Sequence, residues 1–116
     1  MSTKEQEERV ELLQGTLDLL ILRTLQLGPT HGHAIAKAIE LRSDDVLQVE
    51  QGSLYPALQR MLKEKLVRAE WQLSPTNRRV RTYRITTSGI RHLGLEVFSF
   101  EQMLKGIYLV LSPAES

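Results

Sequence analysis

The chain has 116 residues, 41% of them hydrophobic, and a formal net charge of +1. That length suits one domain with a modest core and one appended element. It has no cysteines, which excludes disulfides and thiolate metal sites. Met1–Glu11 is polar and charged, unlike a secretory signal, and apolar runs such as Leu19–Leu22 and Tyr108–Leu111 are far too short to cross a bilayer. A soluble cytoplasmic protein with no membrane partner is expected.

Thr16–Leu27 reads as a helix. Leu17, Leu20, Ile21 and Leu25 fall on one face, widened by Leu19 and Leu22. Gly28-Pro29 ends it. Thr30 is placed to cap a second helix reaching about Arg42, with Ala34, Ile35, Ala38 and Ile39 inward. Ser43-Asp44-Asp45 breaks the pattern, and Val46–Val49 is expected as a short strand. A third helix covers about Gly52–Lys65, with Leu54, Leu58, Met61 and Leu62 at i, i+4, i+7 and i+8. Pro56 belongs in a first turn, where a missing amide proton costs nothing, so this helix cannot start much before Gly52.

Val67–Leu73 alternates. Val67, Ala69, Trp71 and Leu73 face one way, and Arg68, Glu70 and Gln72 the other. Ser74-Pro75-Thr76-Asn77 is turn chemistry, and Val80–Ile85 supplies a β-branched and aromatic return strand. A last helix starts at about Thr87, capped by Thr86 or Ser88. Ile90, Leu93, Val97, Phe100, Leu104, Ile107 and Leu111 recur at alternating steps of 3 and 4, an a/d seam held over three heptads. The predicted fold is mainly α with a small β-wing. It comprises a winged helix-turn-helix over residues 12–86 and a C-terminal dimerisation helix over residues 87–112. Ile90 and Leu93 are expected to pack on the chain's own winged domain. Val97, Phe100, Leu104, Ile107 and Leu111 are expected at a homodimer interface.

The charge is unevenly spread. Residues 1–59 hold 5 basic and 9 acidic groups, net −4; residues 60–91 hold 9 and 2, net +7; residues 92–116 hold 1 and 3, net −2. A local positive field, not the total, attracts phosphates. A helix followed by a basic ribbon suits duplex DNA: the helix fits the major groove and the ribbon reaches the flanking backbone or minor groove. Gln51, Ser53, Tyr55 and Gln59 lie outside the apolar stripe of the third helix, at or near its amino end. Gln51 and Gln59 are candidates for adenine, Tyr55 for phosphate, and Ser53 for either a cap or a contact. Arg60 and Lys63 are assigned to phosphate. At the ribbon tip, Arg78 and Arg79 are assigned to phosphate or the minor groove. Asn77 joins them by position, although its default role is the turn. Arg81 and Arg84 lie on opposite faces, so at least one should be a structural ion-pair partner.

His31 and His33 form an H-x-H pair too sparse for zinc, and His31 is better placed to cap or position the second helix. No metal ligand set, cofactor motif or nucleophile–base arrangement is present in the sequence, so no catalytic residue, metal or cofactor is assigned. The rival readings are a winged-helix protein-interaction module and a hydrolase or metal enzyme. The +7 segment argues against the first and the missing ligand set against the second.

His31-Gly32-His33-Ala34-Ile35, Gly52-Ser53-Leu54-Tyr55-Pro56-Ala57-Leu58, the run Arg78–Thr86 and Gly89 together resemble the PadR family of bacterial transcriptional regulators. The likeness spans about Leu13–Leu93. It implies a dimeric winged-helix repressor whose third helix reads an inverted repeat in double-stranded DNA and whose C-terminal helix dimerises. The single C-terminal helix matches the short subfamily. Position 33 is His where the family more often has an aromatic such as Tyr. In some short relatives an aromatic on the C-terminal helix lines a drug-binding pore. This chain has no tryptophan there, and Phe98, Phe100 and Tyr108 are the candidates for a pocket admitting a small hydrophobic effector.

Overall fold

A computed structural model describes residues 12–114. Among the described residues seven elements follow in order: α1 (Gln14–Gln26), β1 (Thr30–His31), α2 (Gly32–Arg42), α3 (Gln51–Lys63), β2 (Val67–Leu73), β3 (Arg79–Ile85) and α4 (Thr87–Leu111). The three strands form one antiparallel sheet in the order β1-β3-β2. This is a winged helix-turn-helix with a long fourth helix.

The core forms where the apolar stripes of the helices meet the base of the ribbon. Leu17, Ile21, Leu22 and Leu25 of α1 close on Ile35 and Ile39 of α2 and on Leu54, Leu58 and Met61 of α3. Val67 and Tyr83 seal the sheet side, and Leu93 brings α4 onto the cluster. On α2 the buried alanine is Ala36, while Ala34 and Ala38 are only half-buried.

Several local expectations give way to other contacts. Thr30 does not cap α2; it pairs with Tyr83 in the sheet. His31 is the cap, its Nδ1 accepting from the Ala34 amide at 3.3 Å. The expected strand at Val46–Val49 is replaced by a loop with an isolated bridge at Leu47. Side chains of α2 and its end satisfy the amides there: Leu47 donates to Ser43 Oγ and Val49 to Glu40 Oε2, both at 3.1 Å. With those donors occupied, the third strand comes from Thr30–His31 instead. The start of α3 is at Gln51, with Glu50 as the cap position, so Pro56 sits in the second turn. Its missing amide proton leaves the Gly52 carbonyl without the usual partner four residues on.

Of the two candidate caps of α4, Thr86 serves, its Oγ1 accepting from the Gly89 amide at 3.0 Å. Its first half lies against the winged domain through Leu93 and Val97. Ile90 does not share that burial and is 47% exposed. A 25-residue helix is about 37 Å long, more than the small core can cover. The radius of gyration, 16.7 Å, accordingly exceeds the roughly 13 Å of a compact 100-residue domain.

Candidate nucleic-acid interface

The buried face of α3 fixes what its other face presents. Leu54, Ala57, Leu58 and Met61 point into the core. Gln51, Tyr55, Gln59 and Lys63, spaced by four, then form one exposed stripe, with Gly52 and Pro56 beside it. Ser53 is also exposed, but on the flank nearer Arg60. Since Glu50 is the cap position, Ser53 is not the cap.

Tyr55 is 41% exposed. Its ring edge and hydroxyl lie against α2: a Cβ on Gly32 would stand 2.8 Å from both. A larger residue at position 32 would push the ring aside, so glycine there lets the amino ends of α2 and α3 meet through Tyr55. The hydroxyl thus sits beside the first turn of α2, whose free amides favour negative charge.

Arg60 is placed differently from the sequence assignment. Its Nη1 and Nη2 donate to Asp18 Oδ2 and Oδ1 at 2.5 and 3.0 Å. This fork-to-fork pair joins α3 to α1 and is part-buried on both sides. The hydrogen bond to Asp18 raises the Arg60 pKa further, against the lowering effect of burial. No sequence spacing signals a pair 42 residues apart. Lys63 lacks an acidic partner among the described residues and stays exposed.

The ribbon turns at Ser74–Arg78. Ser74 exchanges backbone bonds with Asn77 and Arg78 at 2.8 Å, and Ser74 Oγ accepts from the Arg78 amide at 3.1 Å. Asn77 adopts a left-handed φ of 65°, a turn role that its short polar side chain tolerates. Arg78 and Arg79 are exposed and unpaired with any acid among the described residues. Of the next two arginines, Arg84 reaches Glu70 at 3.3 Å, while Arg81 on the other face lies against aromatic rings and pairs with no acid among the described residues. Burial pushes the Tyr83 hydroxyl above its ordinary pKa, partly offset by Arg81. The apolar face of β2 does not stay inside: beyond Ala69 the ribbon leaves the core, and Trp71 and Leu73 are exposed.

The transcriptional regulator PadR-like family model matches residues 21–95. The chain belongs to that family. Its PadR-like fold is shared with a transcriptional regulator from Clostridium thermocellum, 28% identical, with a TM-score of 0.78 over 84% of this chain and 95% of that one. A PadR-like transcriptional regulator from Bacillus cereus matches at 25% identity and a TM-score of 0.75, over 88% of this chain and 97% of the other. An uncharacterised protein from Lysinibacillus sphaericus is 26% identical over 107 residues, 92% of this chain and 98% of its own length. Membership makes the chain a DNA-binding transcriptional regulator. No described helix is long and apolar enough to cross a membrane.

The candidate effector residues are not brought together. A groove of about 280 Å³ runs between α1 and α4, lined by Leu13, Leu19, Phe100 and Met103 with Glu96 at the side. Phe100 belongs to it; Phe98 and Tyr108 do not, and both are well exposed. The interface candidates grade outward. Val97 is packed on the chain's own core, Phe100 is half-buried, and Leu104, Ile107 and Leu111 are open.

Proposed function

We propose that the chain is a homodimeric repressor that binds an inverted repeat. Residues 12–86 grip DNA and residues 87–112 join the subunits. The observation that carries the DNA contact is the pairing of two open surfaces, the polar stripe of α3 and the uncompensated arginines of the wing. Gln51, Ser53 and Gln59 read base edges, while Tyr55, Lys63, Arg78 and Arg79 meet phosphates. Asn77 shapes the turn that presents the two arginines.

The dimer reading is supported by the open apolar length of α4. Leu104, Ile107 and Leu111 are joined there by Leu109 and Val110, all exposed in the single chain. Two-fold symmetry about α4 would set two recognition helices one DNA turn apart, ~34–36 Å. A small hydrophobic effector held against Phe100 in the α1–α4 groove would act by favouring one dimer geometry over another. Titration with planar hydrophobic compounds checks this through release of bound DNA. Unchanged binding throughout leaves a repressor without such control.

The DNA contact is tested by the double substitution Arg78→Ala with Arg79→Ala. It should weaken specific and non-specific duplexes alike and lower the salt slope by about two, one for each phosphate no longer neutralised. Stability should fall by no more than about 1 kcal/mol, the worth of an exposed cation–π interaction. Wild-type affinity at about 150 mM salt in the double variant removes the wing from the interface.

A further inference from the structure

The wing holds its arginines by two different means. Arg84 reaches a carboxylate, that of Glu70. Arg79 instead lies over the indole of Trp71, its guanidinium carbon 4.7 Å from the ring centroid. Arg81 stands directly opposite Trp71 in the ladder, 5.7 Å from the same ring and 6.0 Å from the ring of Tyr83. The register puts Trp71, Arg79, Arg81 and Tyr83 on one face of the ribbon. At its base that face is core, with Tyr83 buried. Farther out it is open, with Trp71 56% exposed.

The two means leave a guanidinium in different conditions. A carboxylate offsets the charge and occupies the N–H donors at the edge of the fork. An aromatic ring attracts the cation through its π-face and meets only the flat of the guanidinium. The five edge donors stay open and the charge stays whole. Arg79 therefore keeps its charge without an opposing carboxylate and its edge donors free to bond. Arg81 stands behind it against the two rings, its Nε buried and without a hydrogen-bond partner among the described residues. For the fold alone, a tryptophan left more than half in water at this position contributes little burial.

We propose that Trp71 is a positioning residue for DNA: it holds the Arg79 guanidinium, with Arg81 packed behind, in a preset orientation for phosphate oxygens. This rests on the DNA-binding reading above. Ordering a long side chain in advance removes part of the entropy cost of fixing it on binding. Arg78, at the same end of the ribbon but outside the stack, has no such support.

The test measures duplex binding over a salt series for wild type, Trp71→Leu and Trp71→Phe. Each is made alone and combined with Arg79→Ala or Arg78→Ala, with thermal unfolding alongside. Trp71→Leu should weaken binding about two- to fivefold, the worth of an exposed cation–π interaction. It should keep the wild-type salt slope, because no charge is removed. Arg79→Ala should then cost little more, while Arg78→Ala keeps its full effect, the signature of a coupled pair. Trp71→Phe, which retains a ring, should recover most of the affinity. A merely loosened ribbon would couple Trp71 to both arginines alike, so equal coupling overturns the proposal. Wild-type affinity in Trp71→Leu overturns it too. A wild-type protein that shows no salt-dependent duplex binding overturns the DNA-binding reading and this proposal together, an outcome distinct from a tight wild type with an equally tight Trp71→Leu.

Discussion

α3 turns one face to the core and the other to water, whereas α4 meets the core only through its first half and stands clear on every side beyond it, and the two open surfaces differ in character. On α3 the open face carries Gln51, Tyr55, Gln59 and Lys63 with Gly52 and Pro56. These groups are well hydrated and lose little by waiting for a ligand. On α4 the turns beyond Phe100 are open all round and carry Leu104, Ile107, Tyr108, Leu109, Val110 and Leu111, with Phe98 exposed just before them. Each large apolar side chain left there forgoes ~1.5–3 kcal/mol relative to burial. A contiguous apolar surface of this kind marks a protein–protein or ligand contact, not a solvated helix. The polar face fits a partner that comes and goes, and the apolar face fits one that stays.

The largest expected effect comes from giving α4 the character of α3. Replacing Leu104 and Ile107 with Glu should yield a monomer by sedimentation at micromolar concentration. That monomer should lose specific binding to a full inverted repeat while keeping weak single-site contact, since the α3 stripe and the wing are untouched. A variant that stays dimeric, or a wild-type protein that is monomeric at the same concentration, removes the seam from the interface.

A smaller effect separates holding α3 from using it. Asp18→Asn strips the carboxylate from a part-buried guanidinium and should lower stability by about 1–2 kcal/mol, between the values for exposed and buried pairs. Arg60→Met leaves the Asp18 carboxylate without its partner and should cost at least as much, but it should leave the salt slope of DNA binding unchanged. A slope lower by about one in Arg60→Met would restore Arg60 to the phosphate contacts that its sequence position suggests.

Much of this was legible because local patterns and tertiary packing agree. The stripes of α1 and α3 mark helices whose burial follows their period, the cap at Thr86 marks the start of α4, and the alternation of β2 marks a strand. The differences arise where a contact distant in sequence decides. Thr30 is drawn into the sheet by Tyr83, leaving the cap to His31. The Val46–Val49 run is β-branched enough for a strand, but Glu40 and Ser43 occupy its amides. Arg60 looks like its basic neighbours until Asp18 is placed beside it. The heptad pattern marks one stripe on α4. Leu109 and Val110, off that stripe and more open than Leu104, enlarge the apolar face beyond what the heptad pattern marks. Near the hairpin tip, alternation alone sends Trp71 and Leu73 inward, yet the ribbon outruns the core that would receive them.

The smallest expected effect tests whether the α3 face is shaped for close approach. Gly52 lies in the first turn of α3, on the open face, and an added Cβ there would meet no protein atom within 4 Å. Its backbone is helical, so no special dihedral calls for glycine. A helix-interior glycine costs about 0.5–1 kcal/mol relative to alanine, and nothing in the chain's own packing offsets that. The account that fits is external: without a side chain at residue 52, the helix backbone and the Gly52 carbonyl freed by Pro56 can come close to a groove wall. Gly52→Ala should therefore raise the unfolding temperature by a few degrees, the shift that ~0.5–1 kcal/mol gives in a domain of this size. It should also weaken operator binding. The two signs are opposed, which a packing role for the glycine cannot produce. If Gly52→Ala stabilises the protein and binds DNA as tightly as wild type, the space over residue 52 is not part of the interface. The reading face of α3 then begins farther along, at Tyr55 and Gln59.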